Sequence, residues 1–194
     1  MTSATRKADN PIERGDIAVA EALTPVSEQP AVQLAGRAGE LGDQPPLYML
    51  SGGVIAAGLA TGDARTLRAG ARMLAAHAIA TMIKNLLKRS VDRTRPSLIA
   101  ENDQYESGKG TRFDTEFNSF PSGHTASSVA VARALGREYP GQHHMALALA
   151  SGIAGLQVVR GKHYLSDVAA GMAIGIAAEA AVDALFRRFH PDLD

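Results

Sequence analysis

The sequence predicts an all-α fold, an antiparallel bundle of about five to six helices whose candidate functional residues gather at one end. Three observations carry this expectation. Beyond Pro45-Pro46 the chain is dominated by long Ala-, Leu-, Ile- and Val-rich segments. No segment sustains the period-two alternation of a half-buried strand, and no Asn-Gly hairpin turn occurs. Aromatic residues make up only 5% of the chain and Trp is absent, while Ala and Gly are plentiful, a composition suited to helices that approach closely.

The elements follow in order. Met1 to about Pro11 reads as a polar tail without the apolar run of a cleaved signal peptide. Asp16–Leu23 and Ala31–Leu41 are short amphipathic helix candidates, separated by Pro25 and Pro30. Residues 1–46 are therefore set apart as an N-terminal segment, and residues 47–190 as the bundle domain. Leu47–Ala60 is apolar and stops at Thr61-Gly62-Asp63. Leu67–Arg89 is long and ends before Arg95-Pro96, because proline disfavours helix at the residue before it. Ser97–Phe120 is polar and charged, with Gly108 and Gly110, and reads as a long loop or lid. Ser122–Leu135 starts from Pro121 with Ser122 as N-cap and ends at Gly136. Met145–Val159 follows Pro140-Gly141, and Tyr164–Phe189 closes the chain before Pro191.

At 194 residues the chain has the length of about one domain. Twenty basic residues balance twenty acidic ones, so composition gives no reason to expect a nucleic acid partner. The absence of cysteine excludes disulfides, thiolate metal sites, iron–sulfur clusters and a cysteine nucleophile.

Three polar clusters fall at helix ends. Lys88 is followed after six residues by Arg95-Pro96. Basic residues at a helix C-terminus complement its dipole, and the planar fork of Arg95 suits paired phosphate oxygens. Pro121-Ser122-Gly123-His124 opens a helix, where free amides and the positive dipole end form an anion site and Gly123 permits close approach. His124 beside them is placed to protonate a leaving group. In the third cluster, Arg160-Gly161-Lys162-His163-Tyr164-Leu165-Ser166-Asp167, His163 and Asp167 stand four apart. On a helix they would share a face, and a carboxylate on one imidazole nitrogen leaves the other free to act as a nucleophile. If the last four helices run up and down, all three clusters meet at one end of the bundle.

Together these blocks resemble the type-2 phosphatidic acid phosphatase superfamily, which is related to bacterial non-specific acid phosphatases and vanadium haloperoxidases. The family pattern is Lys-x6-Arg-Pro, then Pro-Ser-Gly-His, then Ser-Arg-x5-His-x3-Asp. The chain matches at Lys88, Arg95 and Pro96, at Pro121 through His124, and at His163 and Asp167. It departs at the Ser-Arg pair, where Leu156-Gln157 stands instead. Arg160, one turn later, is the candidate replacement for the missing arginine.

The resemblance implies a phosphatase acting on a lipid phosphate or isoprenyl diphosphate. His163 would form a phosphohistidine, oriented by Asp167. His124 would serve as acid and then as base. Lys88, Arg95, Ser122, Gly123 and Arg160 would hold the phosphate oxygens. It implies no metal and no cofactor. The alternatives are a vanadate-dependent haloperoxidase chemistry in the same pocket, and a catalytically weakened binding member made conceivable by Gln157. His77, His143, His144 and His190 fall outside the blocks.

Gln44–Gly62 and Tyr139–Val159 lack Asp, Glu, Lys and Arg and approach the roughly 20 residues of a membrane span. Glu179 and Asp183 would have to face the bundle interior. A rim of Arg65, Arg68, Arg72, Arg133, Arg137, Arg187 and Arg188 lies at the end opposite the clusters, with few acids expected beside it. The positive-inside rule makes that end cytoplasmic. The expectation is a multi-pass protein of the cell membrane with its site on the outer face; soluble members of the family supply the alternative.

Overall fold

The computed structural model of the protein describes residues 8, 10–110 and 114–189. The expected tail, apart from residues 8, 10 and 11, and His190 lie outside the described residues. Among the described residues the chain forms eight α-helices and one two-stranded ribbon. They are α1 (Pro11–Ser27), α2 (Pro30–Gly39), α3 (Gln44–Thr61), α4 (Ala64–Lys88), α5 (Pro96–Asn102), α6 (Gly123–Glu138), α7 (His143–Val159) and α8 (Leu165–Phe189). Strands β1 (Val91–Arg93) and β2 (Ser107–Lys109) pair antiparallel. The all-α expectation holds, with a helix count above the five to six expected.

The surplus has local causes. The expected loop 97–120 holds α5, which begins on Pro96, where the missing amide is no loss, and ends at Asp103 in the left-handed region at φ 54°. It also holds β2, whose register sets Val91 opposite Lys109. Neither element shows in hydrophobic periodicity, because each is short and is fixed by packing on its neighbours. The α1 helix continues through Pro25, two residues before its end.

Helix α6 is the hub, packed by α4, α7 and α8. Its close approach to α8 rests on two glycines one turn apart. A Cβ on Gly171 would lie 2.5 Å from the Ser122 carbonyl oxygen, and one on Gly175 would lie 2.6 Å from that of Ala126. Small residues at this spacing let two helix backbones nearly touch. The contact also sets the site, because the Ser122 amide donates to the Asp167 carbonyl at 3.0 Å and locks the start of α6 to that of α8.

At the far end, the arginines are largely paired rather than forming a rim with few acids. Arg68 and Arg72 meet Glu138, Arg72 also meets Asp183, Arg133 and Arg137 meet Glu179, and Arg187 meets Asp183. Glu179 is only 1% exposed and Asp183 is buried, so both face inward as a membrane reading requires. The N-terminal helices pack beside the opposite end, α1 on α5, α7 and α8, and α2 on α7.

Candidate functional site

The three sequence clusters converge on one cavity of about 390 Å³. Lys88 reaches it from the last residue of α4, Arg95 from the residue before α5, and Gly123 and His124 from the first turn of α6. Arg160, Lys162 and His163 reach it from the turn between α7 and α8. Gln157 lines it as well. The expectation of a single functional end is met.

His163 is 3% exposed and lies before α8 rather than on it. Its Nδ1 donates to the Ser119 carbonyl at 2.7 Å, which fixes the Nδ1–H tautomer because a carbonyl can only accept. Nε2 is then the nitrogen with a free lone pair. The Asp167 carboxylate stands 3.8 Å from Nδ1, beyond hydrogen-bond range. This corrects the expectation that a shared helix face would pair the two directly. Asp167 instead accepts from Arg93 Nη1 at 2.7 Å, from Ser119 Oγ at 2.7 Å and from the Tyr164 amide at 2.8 Å. It holds the residue that holds the histidine. Burial pushes the His163 pKa below the ordinary 6.5, opposed by the nearby Asp167. A neutral imidazole is therefore favoured at neutral pH.

The turn that presents His163 depends on Gln157 and Gly161. The Gln157 carbonyl accepts from the amides of Lys162 (3.0 Å) and His163 (3.1 Å), and Gly161 takes φ +64°. The helix therefore breaks between Gln157 and His163, so Gln157 and Asp167 do not share one continuous helix. The Gln157 side chain is 1% exposed, and its Nε2 has no hydrogen-bond partner among the described residues. Arg160 gives Nη1 to the Gly36 carbonyl of α2 at 3.0 Å while still lining the cavity.

Lys88 donates to the Asn118 carbonyl at 2.9 Å, and Arg95 Nε to the Thr115 carbonyl at 2.9 Å. Both cations are thus aimed by loop carbonyls, with further donors left for a ligand. Burial and the charges of Arg95 and Arg160 push the Lys162 pKa down. Ser122 does not line the cavity. It is fully buried, and its hydroxyl pairs with Thr125 Oγ1 at 3.0 Å instead of capping α6.

Four residues escaped sequence reasoning. Lys84 lines the cavity one turn before Lys88, and the i, i+4 spacing on α4 was the available signal. Asp43 lines it too, with Oδ1 3.3 Å from His124 Nε2. Arg93, two residues before Arg95, ion-pairs with Asp16 at 2.8 Å and Asp167 at 2.7 Å. Asp16 comes from α1, and no local pattern marks a contact across that distance in sequence. Among the described residues, no group of three or more His, Asp or Glu is placed to hold a metal ion.

The family model of the PAP2 superfamily matches residues 69–190. Decaprenylphosphoryl-5-phosphoribose phosphatase of Mycobacterium tuberculosis is 37% identical over 120 residues, covering 60% of this chain and 59% of that protein. Lipid A 1-phosphatase of Rhizobium etli is 32% identical over 108 residues, covering 55% of this chain and 45% of that protein. The match thus spans less than two thirds of each relative's length. A transmembrane PAP2 type phosphatidylglycerolphosphate phosphatase from Bacillus subtilis has a similar crystal structure. The TM-score is 0.67 at 20% identity, over 93% of this chain and 89% of that one, a likeness of fold.

Proposed function

Because the chain belongs to the PAP2 superfamily, we propose that it is a metal-independent phosphatase of the cell membrane. Its substrate is a lipid phosphate or isoprenyl diphosphate, and its catalytic unit is the bundle of residues 47–190. The observation that carries this reading is the His163 imidazole, held by the Ser119 carbonyl with Nε2 free at a cavity lined by Lys84, Lys88, Arg95, Arg160 and Lys162. The curated relatives are named as phosphatases, one of them of lipid A, which supports the same class.

In this mechanism His163 Nε2 attacks phosphorus as the bond to the leaving oxygen breaks. His124 gives that oxygen its proton, with the Asp43 carboxylate 3.3 Å from its Nε2. His124 then takes a proton from water, whose oxygen attacks the phosphohistidine, releasing phosphate and restoring His163. The Gly123 amide, Lys88 and Arg95 hold the equatorial oxygens, with Arg160 and Gln157 at the third-block position. Ser122 contributes through its backbone, which anchors α6 to α8.

Membrane insertion is supported by the apolar side chains the bundle turns outward, and the outer-face position of the site follows from the positive-inside expectation for the arginine-bearing end. Met49 (77% exposed), Leu59, Met82, Leu149 and Leu185 stand on α3, α4, α7 and α8. Water-soluble monomers rarely display so broad an apolar surface. We take α3, α4, α6, α7 and α8 as the spans. Among the described residues α8 alone is both long and apolar enough to qualify by length and composition.

The full chain, purified in detergent, should hydrolyse lipid phosphates in excess EDTA and be inhibited by vanadate. Rapid quench should trap an acid-labile phosphoenzyme that His163→Ala abolishes. His124→Ala should slow poor leaving groups most. A strict Mg²⁺ requirement, or a phosphoenzyme that survives His163→Ala, would overturn the proposal.

A further inference from the structure

We propose that Asp16, from the N-terminal helix, is a positioning residue of this same site, acting through Arg93 and Ser166 on the Asp167–Ser119–His163 chain. The inference rests on the phosphatase reading above for the role of His163, and on geometry for the rest. It also ties α1, outside the bundle of residues 47–190, to that bundle's site.

Asp16 is 4% exposed, although it lies on an otherwise largely exposed helix. Its Oδ2 accepts from Arg93 Nη2 at 2.8 Å and from the Ser166 hydroxyl, and its Oδ1 accepts from the Ser166 amide at 3.1 Å. The last contact is an N-cap supplied from a distance. Tyr164 precedes α8, and its phenol cannot reach back to satisfy first-turn amides as a Ser or Asp would. The two acceptors are instead Asp167, which takes the Tyr164 amide as in a capping box, and Asp16 of α1.

Arg93 sits between the two carboxylates. Nη2 goes to Asp16, while Nη1 goes to Asp167 and also to Ser166 Oγ at 2.7 Å. Its guanidinium lies 4.2 Å from the Tyr164 ring centroid, and Tyr105 Oη accepts from Nη2 at 3.3 Å. Apart from the half-buried Ser166, every group in this array is buried, so the fork of Arg93 has one orientation, fixed from two sides. With Asp16 in place, the cluster of Asp16, Arg93 and Asp167 carries one net negative charge next to His163. Without that carboxylate the cluster is neutral and Asp167 is the one carboxylate left on Arg93. A neutral cluster favours imidazolium less, so the His163 pKa falls further.

Asp16→Asn tests this: the amide oxygen can still cap the Ser166 amide, while the charge is lost and the NH₂ group replaces the acceptor that faced Arg93. Two readouts are taken on the full chain in detergent. Titration of the His163 imidazole by ¹⁵N NMR, assigned with His163→Gln, needs no substrate. We expect its pKa to drop by about 0.5 unit, the scale of one unit charge acting through partly screened protein. Steady-state kinetics on a lipid phosphate should show kcat down roughly 10- to 100-fold, the usual loss when the partner of an orienting group is removed, with KM little changed. Asp16→Glu, which keeps the charge, should regain part of kcat and move the pKa back. An unshifted His163 pKa, or a kcat loss that Asp16→Glu does not relieve, would reduce Asp16 to a structural anchor and overturn the inference. A shifted pKa in a wild-type protein that cleaves no phosphoester would instead leave Asp16 in its role and remove the phosphatase reading.

Discussion

Asp167→Asn is the sharpest perturbation of the proposed nucleophile, because the structure states what each carboxylate oxygen does. Oδ1 accepts from Arg93, while Oδ2 accepts from Ser119 Oγ and the Tyr164 amide. An asparagine has one acceptor oxygen and one NH₂ group, so one of these sides must face donor to donor. If the oxygen keeps Ser119 and Tyr164, the NH₂ group opposes Arg93, and a charge-assisted hydrogen bond of about 1.5–3 kcal/mol is lost. At 1.36 kcal/mol per tenfold, kcat falls roughly 10- to 150-fold. KM should hold, because Asp167 is fully buried and does not line the cavity. Ser119→Ala removes a single hydroxyl from the same chain and should cost about tenfold, with its backbone carbonyl still on His163. If Asp167 acts partly through Ser119, the double variant will lose less than the product of the single losses, a coupling of at least about 0.5 kcal/mol. The assay is single-turnover phosphoenzyme formation, which isolates the chemical step. Fully additive losses, or a raised KM with kcat retained, would refute the reasoning.

Three further outcomes are expected. In the proposed mechanism a neutral His163 attacks, so kcat/KM should rise with pH as its proton leaves; burial holds its pKa down, so that limb should lie below pH 6.5, as a pH–rate profile will show. Lys84→Met removes a cation from the cavity and should raise KM roughly tenfold, measured on the same lipid phosphate, with the far-end ion pairs intact. Glu179→Ala strands Arg133, leaves Arg137 with Asp183 alone, and should destabilise the bundle by about 3 kcal/mol, read by thermal unfolding in detergent, while the activity that survives keeps its KM.

What was legible in the sequence was what local pattern encodes. The five apolar segments after Pro46 became α3, α4, α6, α7 and α8 because length and composition suffice for long helices. The three blocks named Lys88, Arg95, Gly123, His124, Arg160 and His163, and all six line one cavity. Asp167 and Ser122 were found, but not their contacts. The four-residue spacing of His163 and Asp167 suggested a shared helix face, whereas Gly161 at φ +64° ends α7, and His163 turns to Ser119 instead. No periodicity marks α5 or the β1–β2 ribbon, and no spacing rule links Asp16 to an arginine 77 positions on. Such contacts exist only once the helices have packed.

The two ends of the bundle treat charge in opposite ways, and the contrast bears on what the cavity holds. At the far end Glu138, Glu179 and Asp183 meet five arginines, so positive charge carried on α4, α6 and α8 is neutralised within the protein. At the site, Lys84, Lys88, Arg95, Arg160 and Lys162 share one cavity, and among the described residues none makes an ion pair with a carboxylate. The acid nearest the reacting groups, Asp43, faces His124. Gathering like charges in a partly buried space costs stability unless an anion arrives to offset them. The protein has carboxylates within reach of this end, since Asp16 and Asp167 lie just behind His163, yet both are directed to Arg93 and away from the cavity cations. Five cations outnumber the carboxylates of Glu40 and Asp43 where a phosphate would enter, and the carboxylates of Asp16 and Asp167 are kept on the far side of the imidazole. That separation suits a neutral histidine that must approach an anion and then carry its phosphoryl group.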